Sequence, residues 1–110
     1  MLENLKKKAR GDEERMQMYV REYAVSMAGR LRSLKEALEL EKYHDVGTII
    51  HKTKSLFNVV GMEEQHRLAT HIEMGINKRY SQEMTKEHTL DLIKDIELSL
   101  VEFKPYVKSY

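Results

Sequence analysis

The chain has 110 residues, and 19 lysines and arginines against 18 aspartates and glutamates give it a formal net charge of +1. This length predicts one domain over residues 1–110, with a helical core over about residues 12–103. The balanced charge gives no overall field that would attract nucleic acid or an anionic membrane, so neither is an expected partner. The absence of cysteine excludes disulfides and thiolate metal sites. With no signal-peptide pattern and no apolar run long enough to span a bilayer, the expected location is the cytoplasm.

The first half of the sequence predicts a short helix followed by a long one. Residues 2–9 form the short helix, which Gly11 closes, and Asp12 is placed to cap the next helix. From there, apolar residues recur every three or four positions to about Glu41, which is the spacing of one buried helical face. These residues are Met16, Tyr19, Val20, Tyr23, Met27, Leu31, Leu34 and Leu38.

The second half predicts three further helices. Asp45 is expected to cap the third one after a connector at 43–45, and Gly61 to end it. The fourth covers residues 63–78 and is followed by a polar loop at 77–84. Thr85 is expected to cap the fifth, which stops before Pro105 and leaves a frayed tail at 105–110.

Four amphipathic helices with short connections bury their apolar faces most simply as a bundle. The predicted fold is therefore all-α, an antiparallel up-down four-helix bundle with a short extra N-terminal helix. A continuous coiled coil is the competing interpretation of the heptad-like spacings. The breaks at Gly11, Gly61 and residues 77–84 are too frequent for it.

The third predicted helix carries a histidine on its solvent side. Successive helical residues turn by about 100°, so His51 lies about 140° from Val46, nearly opposite the buried face. Its neighbours on that side are small or polar, namely Gly47, Lys54, Ser55 and Asn58. Because glycine inside a helix costs roughly 1 kcal/mol relative to alanine, Gly47 invites a steric explanation, such as access for a docking protein.

The residues that follow His51 resemble the H-x-x-K-[G/S]-x5-G signature of histidine-containing phosphotransfer domains in two-component phosphorelays. Here the signature is carried by His51, Lys54, Ser55 and Gly61. Upstream, the short first helix, the Asp12 cap and the leucine stripe are similar to the corresponding part of such domains in hybrid sensor kinases.

The resemblance implies a phosphocarrier in signal transduction, with no nucleotide-binding or kinase chemistry of its own. It also implies the four-helix bundle, with His51 as the phosphoacceptor, Lys54 as the cation that stabilises the phosphoryl group and Ser55 as the small residue that permits docking. Because Gly47 and Asn58 lie on the same side of the helix, they are predicted to complete the docking surface. The implied partners are receiver domains of response regulators or hybrid kinases. Those receivers would hold the Mg²⁺, so no cofactor is expected on this chain, which can act as a monomer.

Two departures and two alternatives stay open. Ser55 stands where many members have glycine, and Glu73 stands where some have glutamine, 22 residues after the histidine. A carboxylate at Glu73 could orient His51 or Lys54 but would repel a phosphoryl group at close range, so the sequence assigns it no definite role. The alternatives are a non-catalytic helical adaptor and the phosphoacceptor domain of a chemotaxis-type histidine kinase. A metal site is not expected, because the other histidines, at positions 44, 66, 71 and 88, show no i, i+4 spacing.

Overall fold

The computed structural model describes residues 1–107, and within them all regular secondary structure is helical. In chain order the elements are α1 (Leu2–Lys8), α2 (Glu13–Glu39), α3 (Tyr43–Val59), α4 (Glu63–Asn77), α5 (Gln82–Glu102) and a 3₁₀ turn (Lys104–Tyr106). The predicted all-α class is confirmed. Helix α2 packs on α3, α3 on α4 and α4 on α5, and α5 packs against α2.

The start of α2 agrees with the sequence prediction, whereas the start of α3 does not. Asp12 caps α2 by accepting a hydrogen bond of 3.2 Å from the backbone N–H of Arg15. The predicted connector at 43–45 is wrong, because α3 begins at Tyr43 with Lys42 at its N-cap. Asp45 therefore lies in the first turn of α3, where its negative charge favours the helix N-terminus without capping it.

The start of α5 also comes earlier than the sequence predicts. Ser81 caps the helix, and its side chain accepts a bond from the backbone N–H of Met84 at 3.4 Å. The prediction that Thr85 is the cap is wrong, since Thr85 is buried inside the first turn. The connection between α4 and α5 is consequently reduced to residues 78–81.

The first four helices each end at a residue in the left-handed region of backbone space. These residues are Arg10 (φ 54°), Glu41 (φ 56°), Gly61 (φ 74°) and Arg79 (φ 54°). In each case the next residue donates its N–H to a carbonyl five positions back, as Met62 does to Phe57 at 2.8 Å. This is the Schellman pattern, and only one of the four positions has the glycine that usually marks it in a sequence. The chain therefore turns at Arg10, one residue before the expected Gly11.

Gly61 is required for a second reason besides its backbone angle. A Cβ atom at this position would lie 2.8 Å from the backbone oxygen of Asn4 in α1. The missing side chain thus lets α1 pack closely against the end of α3. Leu5 of α1 and Ala9, the residue that follows α1, are fully buried, so the core includes this segment in addition to residues 12–103.

The predicted apolar face of α2 forms much of the core, with Tyr19 and Leu31 only half-buried. At its centre the Tyr23 ring meets the Phe103 ring edge-on, with centroids 5.7 Å apart. The Ser99 hydroxyl donates to the Ile96 carbonyl at 2.6 Å, so the Tyr23 hydroxyl donates to Ser99 Oγ, also at 2.6 Å. Burial raises the pKa of Tyr23 to about 12, which keeps it neutral.

The C-terminal segment is more ordered than the sequence predicts. Helix α5 ends at Glu102, and the 3₁₀ turn that contains Pro105 packs against α2 with Tyr106 half-buried. The expected fraying from residue 105 is therefore wrong for 105 and 106, and positions 108–110 lie outside the described residues. Within residues 1–107, the helices are too short or too polar to cross a bilayer.

Candidate functional site

The structure places His51 on the exposed side of α3. The buried side of this helix is formed by Val46, Ile50, Thr53, Leu56 and Phe57. The His51 side chain is 69 % exposed, which confirms the orientation predicted from the helical period. An imidazole in this position is accessible to a partner while its backbone is held by a packed helix.

A carboxylate from the neighbouring helix joins His51 to Lys54. Glu73 of α4 has its Oε2 3.0 Å from His51 Nδ1 and its Oε1 3.0 Å from Lys54 Nζ. The ammonium lies at ion-pair distance from Oε1 but outside the alignment of a directional hydrogen bond, so charge attraction compensates this buried oxygen. The side chain of Glu73 is only 16 % exposed, and packing therefore limits its freedom to leave this position.

The charges around Glu73 keep it ionised. Partial burial by itself would raise the pKa of the Glu73 carboxyl, but the contacts with Lys54 and His51 outweigh it and hold the pKa below the usual value. An ionised carboxylate can only accept hydrogen bonds, so the His51 Nδ1 that faces it carries the proton. The lone pair of the neutral ring is then on Nε2, the nitrogen that Glu73 does not occupy. This arrangement presents a nucleophilic nitrogen to solvent.

A shallow open groove of about 380 Å³ runs beside the imidazole between α3 and α4. It is lined by His44, Gly47, Thr48, His51, Lys52, Glu73, Ile76 and Asn77. A Cβ atom on Gly47 would lie 3.4 Å from Ile76 Cδ1, an ordinary van der Waals contact. Gly47 therefore keeps the groove wide and eases the approach of the two helices, and an alanine would fit there.

The remaining predicted site residues lie further from Glu73. Ser55 and Asn58 are both exposed on α3, one and two turns beyond His51. They contribute neither to the groove nor to the contacts of the carboxylate. Both side chains therefore form part of the exposed surface of α3 next to His51.

The structure places at the site two residues to which the sequence assigned no function. Glu73 contacts both His51 and Lys54, and the spacing of 22 residues was its only signal in the sequence. His44 lines the groove two turns before His51, on the same side of α3. Neither contact follows from the periodicity of one helix, because each depends on how α3 and α4 pack.

Comparisons of the chain with protein-family models, with curated proteins and with solved structures give no match.

Proposed function

We propose that this chain is a histidine-containing phosphotransfer domain, a phosphorelay intermediate in two-component signal transduction. In this proposal His51 accepts a phosphoryl group from the aspartyl phosphate of one receiver domain and passes it to another. The observation that carries the proposal is the exposed imidazole whose Nδ1 faces an ionised carboxylate, which leaves Nε2 for the reaction. A phosphocarrier needs such a nitrogen at the protein surface.

The packing of the long helices supports the bundle that the resemblance implies. Helices α2 to α5 contact one another in sequence order, and α5 packs against α2, so their contacts close a ring. The connections between them are short, which favours antiparallel neighbours. We infer an up-down four-helix bundle of one domain with α1 as an extra N-terminal helix, acting as a cytoplasmic monomer.

The proposed transfer is a single in-line displacement. The Nε2 lone pair of neutral His51 attacks phosphorus, the bond between phosphorus and the aspartyl oxygen breaks, and the carboxylate leaves with the electron pair. The proton on Nδ1 stays in place, so the phosphorylated ring carries a positive charge that the Glu73 carboxylate stabilises. Attack by the carboxylate of a second receiver reverses these bond changes. The receiver supplies Mg²⁺, and this chain supplies no nucleotide site.

Lys54 is proposed to stabilise the phosphoryl oxygens. Its ammonium neutralises Glu73 in the structure, and it lies one helical turn after His51 on α3. When the phosphoryl group arrives, Lys54 can turn part of its charge toward the new oxygens, because a flexible stem carries the ammonium. Gly47, Ser55 and Asn58 are proposed as the surface on which the receiver docks.

The test is transfer of labelled phosphoryl from a receiver domain that has been phosphorylated on its aspartate in the presence of magnesium. We expect acid-labile, base-stable label on the wild-type chain and none on His51→Gln. His71→Gln is the matched control, since His71 is also exposed but lies on α4, and it should accept label as the wild type does. Label that persists in His51→Gln would assign the phosphoryl group to another residue.

The contact between His51 and Glu73 also favours the second candidate, the phosphoacceptor domain of a chemotaxis-type kinase. A carboxylate that stabilises positive charge on the ring assists attack on a less activated donor such as ATP. Label taken from ATP through a kinase domain, and from none of several receivers, would select this function. If neither donor transfers label to a folded chain, the non-catalytic adaptor replaces both.

A further inference from the structure

Two histidines that are unrelated in the sequence come into contact between α4 and α5. The ring centroids of His71 and His88 are 5.0 Å apart, and their planes are inclined by 63°. Position 71 is exposed and position 88 is half-buried, so the pair lies at the edge of the interface between the helices. It plays no part in the contacts of His51.

The separation of the two rings matches that of two imidazoles bound to one metal ion. A metal about 2.1 Å from one nitrogen of each ring, with about 90 to 110° between the two bonds, places the ring centres about 4.5 to 5.2 Å apart. The observed 5.0 Å lies within this range. Because His71 is exposed, its ring can turn about its terminal side-chain bond until both nitrogens converge.

The helices that carry the two rings are fixed independently of any metal. Further along the same interface, Gln65 of α4 donates a hydrogen bond of 3.2 Å to Asp95 of α5. The tight connection at residues 78–81 joins the other ends of the two helices. A pair of ligands held in this way loses little freedom on binding, which favours affinity.

The charges near the pair are mixed. Asp91 is exposed one turn after His88 on α5, and Arg67 is exposed one turn before His71 on α4. These two charges are opposite in sign, so metal binding here would depend on the two imidazoles. Among residues 1–107 there is no group of three or more histidine, cysteine or acidic side chains able to hold a metal ion, so water would complete the coordination.

We propose that His71 and His88 form a two-histidine site for a late first-row transition-metal ion. Imidazole ligands suit copper, nickel and zinc, and the general order of divalent affinity places Cu²⁺ first. A bound ion would link α4 to α5. Residues two positions apart on a helix point in widely different directions, so this site lies on the opposite side of α4 from Glu73 and His51.

The test is calorimetric titration of the purified chain with CuCl₂ and with NiCl₂, with MgCl₂ as the negative control. We expect one Cu²⁺ ion per chain and weaker Ni²⁺ binding. Once one imidazole has bound Cu²⁺, the second binds within the same molecule and therefore strengthens binding. His71→Ala and His88→Ala should each lower the affinity for Cu²⁺ by about tenfold or more. His44→Ala removes an exposed histidine from α3 and should leave the affinity unchanged.

Circular dichroism establishes that each variant is folded before the titration, and NMR locates the ion. Substoichiometric Cu²⁺ should broaden the amide signals around residues 71 and 88. Equal Cu²⁺ affinity in the wild type and in both alanine variants would overturn the proposal. So would broadening centred on His51 or on another histidine.

Discussion

Glu73→Gln tests whether the carboxylate between α3 and α4 contributes to stability through its charge. The substitution keeps the size of the side chain and removes the attraction to Lys54 Nζ at 3.0 Å. At this distance Coulomb's law gives about 1.5 to 3 kcal/mol for a dielectric constant of about 40 to 80, which suits a partly exposed pair. Desolvation of the carboxylate offsets part of this attraction. We therefore expect a net loss of about 1 to 2 kcal/mol near pH 7.

The stabilisation by Glu73 should depend on pH in a definite direction. Contacts with Lys54 and His51 hold the pKa of Glu73 in the folded chain below its ordinary value, so the folded state favours the ionised form. A group of this kind stabilises the fold above the pKa of the unfolded chain, and the stabilisation disappears as the pH falls through the folded pKa. The difference in unfolding free energy between wild type and Glu73→Gln should therefore be larger at pH 7 than at pH 3.

Urea unfolding followed by circular dichroism at both pH values measures these differences. Glu87→Gln, which removes an exposed carboxylate from α5, is the control and should change little at either pH. A loss for Glu73→Gln that is equal at pH 3 and pH 7 would show that shape, and not charge, explains the effect. That result would refute the electrostatic account of the site.

Four further substitutions test the packing of the core, of α1 and of the groove beside His51. Ser99→Ala leaves the buried Tyr23 hydroxyl without its acceptor and should cost about 1 to 3 kcal/mol, more than the roughly 1 kcal/mol expected for Tyr23→Phe, in urea unfolding. Gly61→Ala combines a positive φ with a Cβ 2.8 Å from a backbone oxygen of α1, so we expect a loss of about 2 to 3 kcal/mol and faster proteolysis of α1; a neutral result would contradict this packing. Gly47→Ala should leave stability unchanged or raise it by up to about 1 kcal/mol while it slows phosphoryl transfer, and transfer at the wild-type rate would remove Gly47 from the docking surface.

The helices could be predicted from the sequence because their signals are local. Apolar residues at intervals of three and four residues determine which side of a helix is buried, and the same period places His51 outside. The Asp12 cap was also predictable, since its bond reaches only three residues along the chain. Interactions of this range are contained in a short stretch of sequence.

The starts of α3 and α5, which the sequence placed wrongly at Asp45 and Thr85, could not be predicted in the same way. Glu41 and Arg79 adopt positive φ angles without being glycine, so the turns before α3 and α5 are tighter than their composition indicates. Each turn is closed by bonds to carbonyls of the preceding helix, such as Tyr80 N–H to Gly75 at 2.7 Å. The favourable packing of the next helix offsets the cost of the left-handed residue, and this packing is not a local property.

The sequence by itself determined an all-α chain with an exposed histidine on its third helix. Only the tertiary structure brought Glu73 to His51 and Lys54, and His71 to His88, because these contacts join helices whose relative rotation is set by the core. A helical period specifies the direction of a side chain from its own axis. It does not specify which residue of a neighbouring helix that side chain meets, since that depends on how the ridges and grooves of both helices fit.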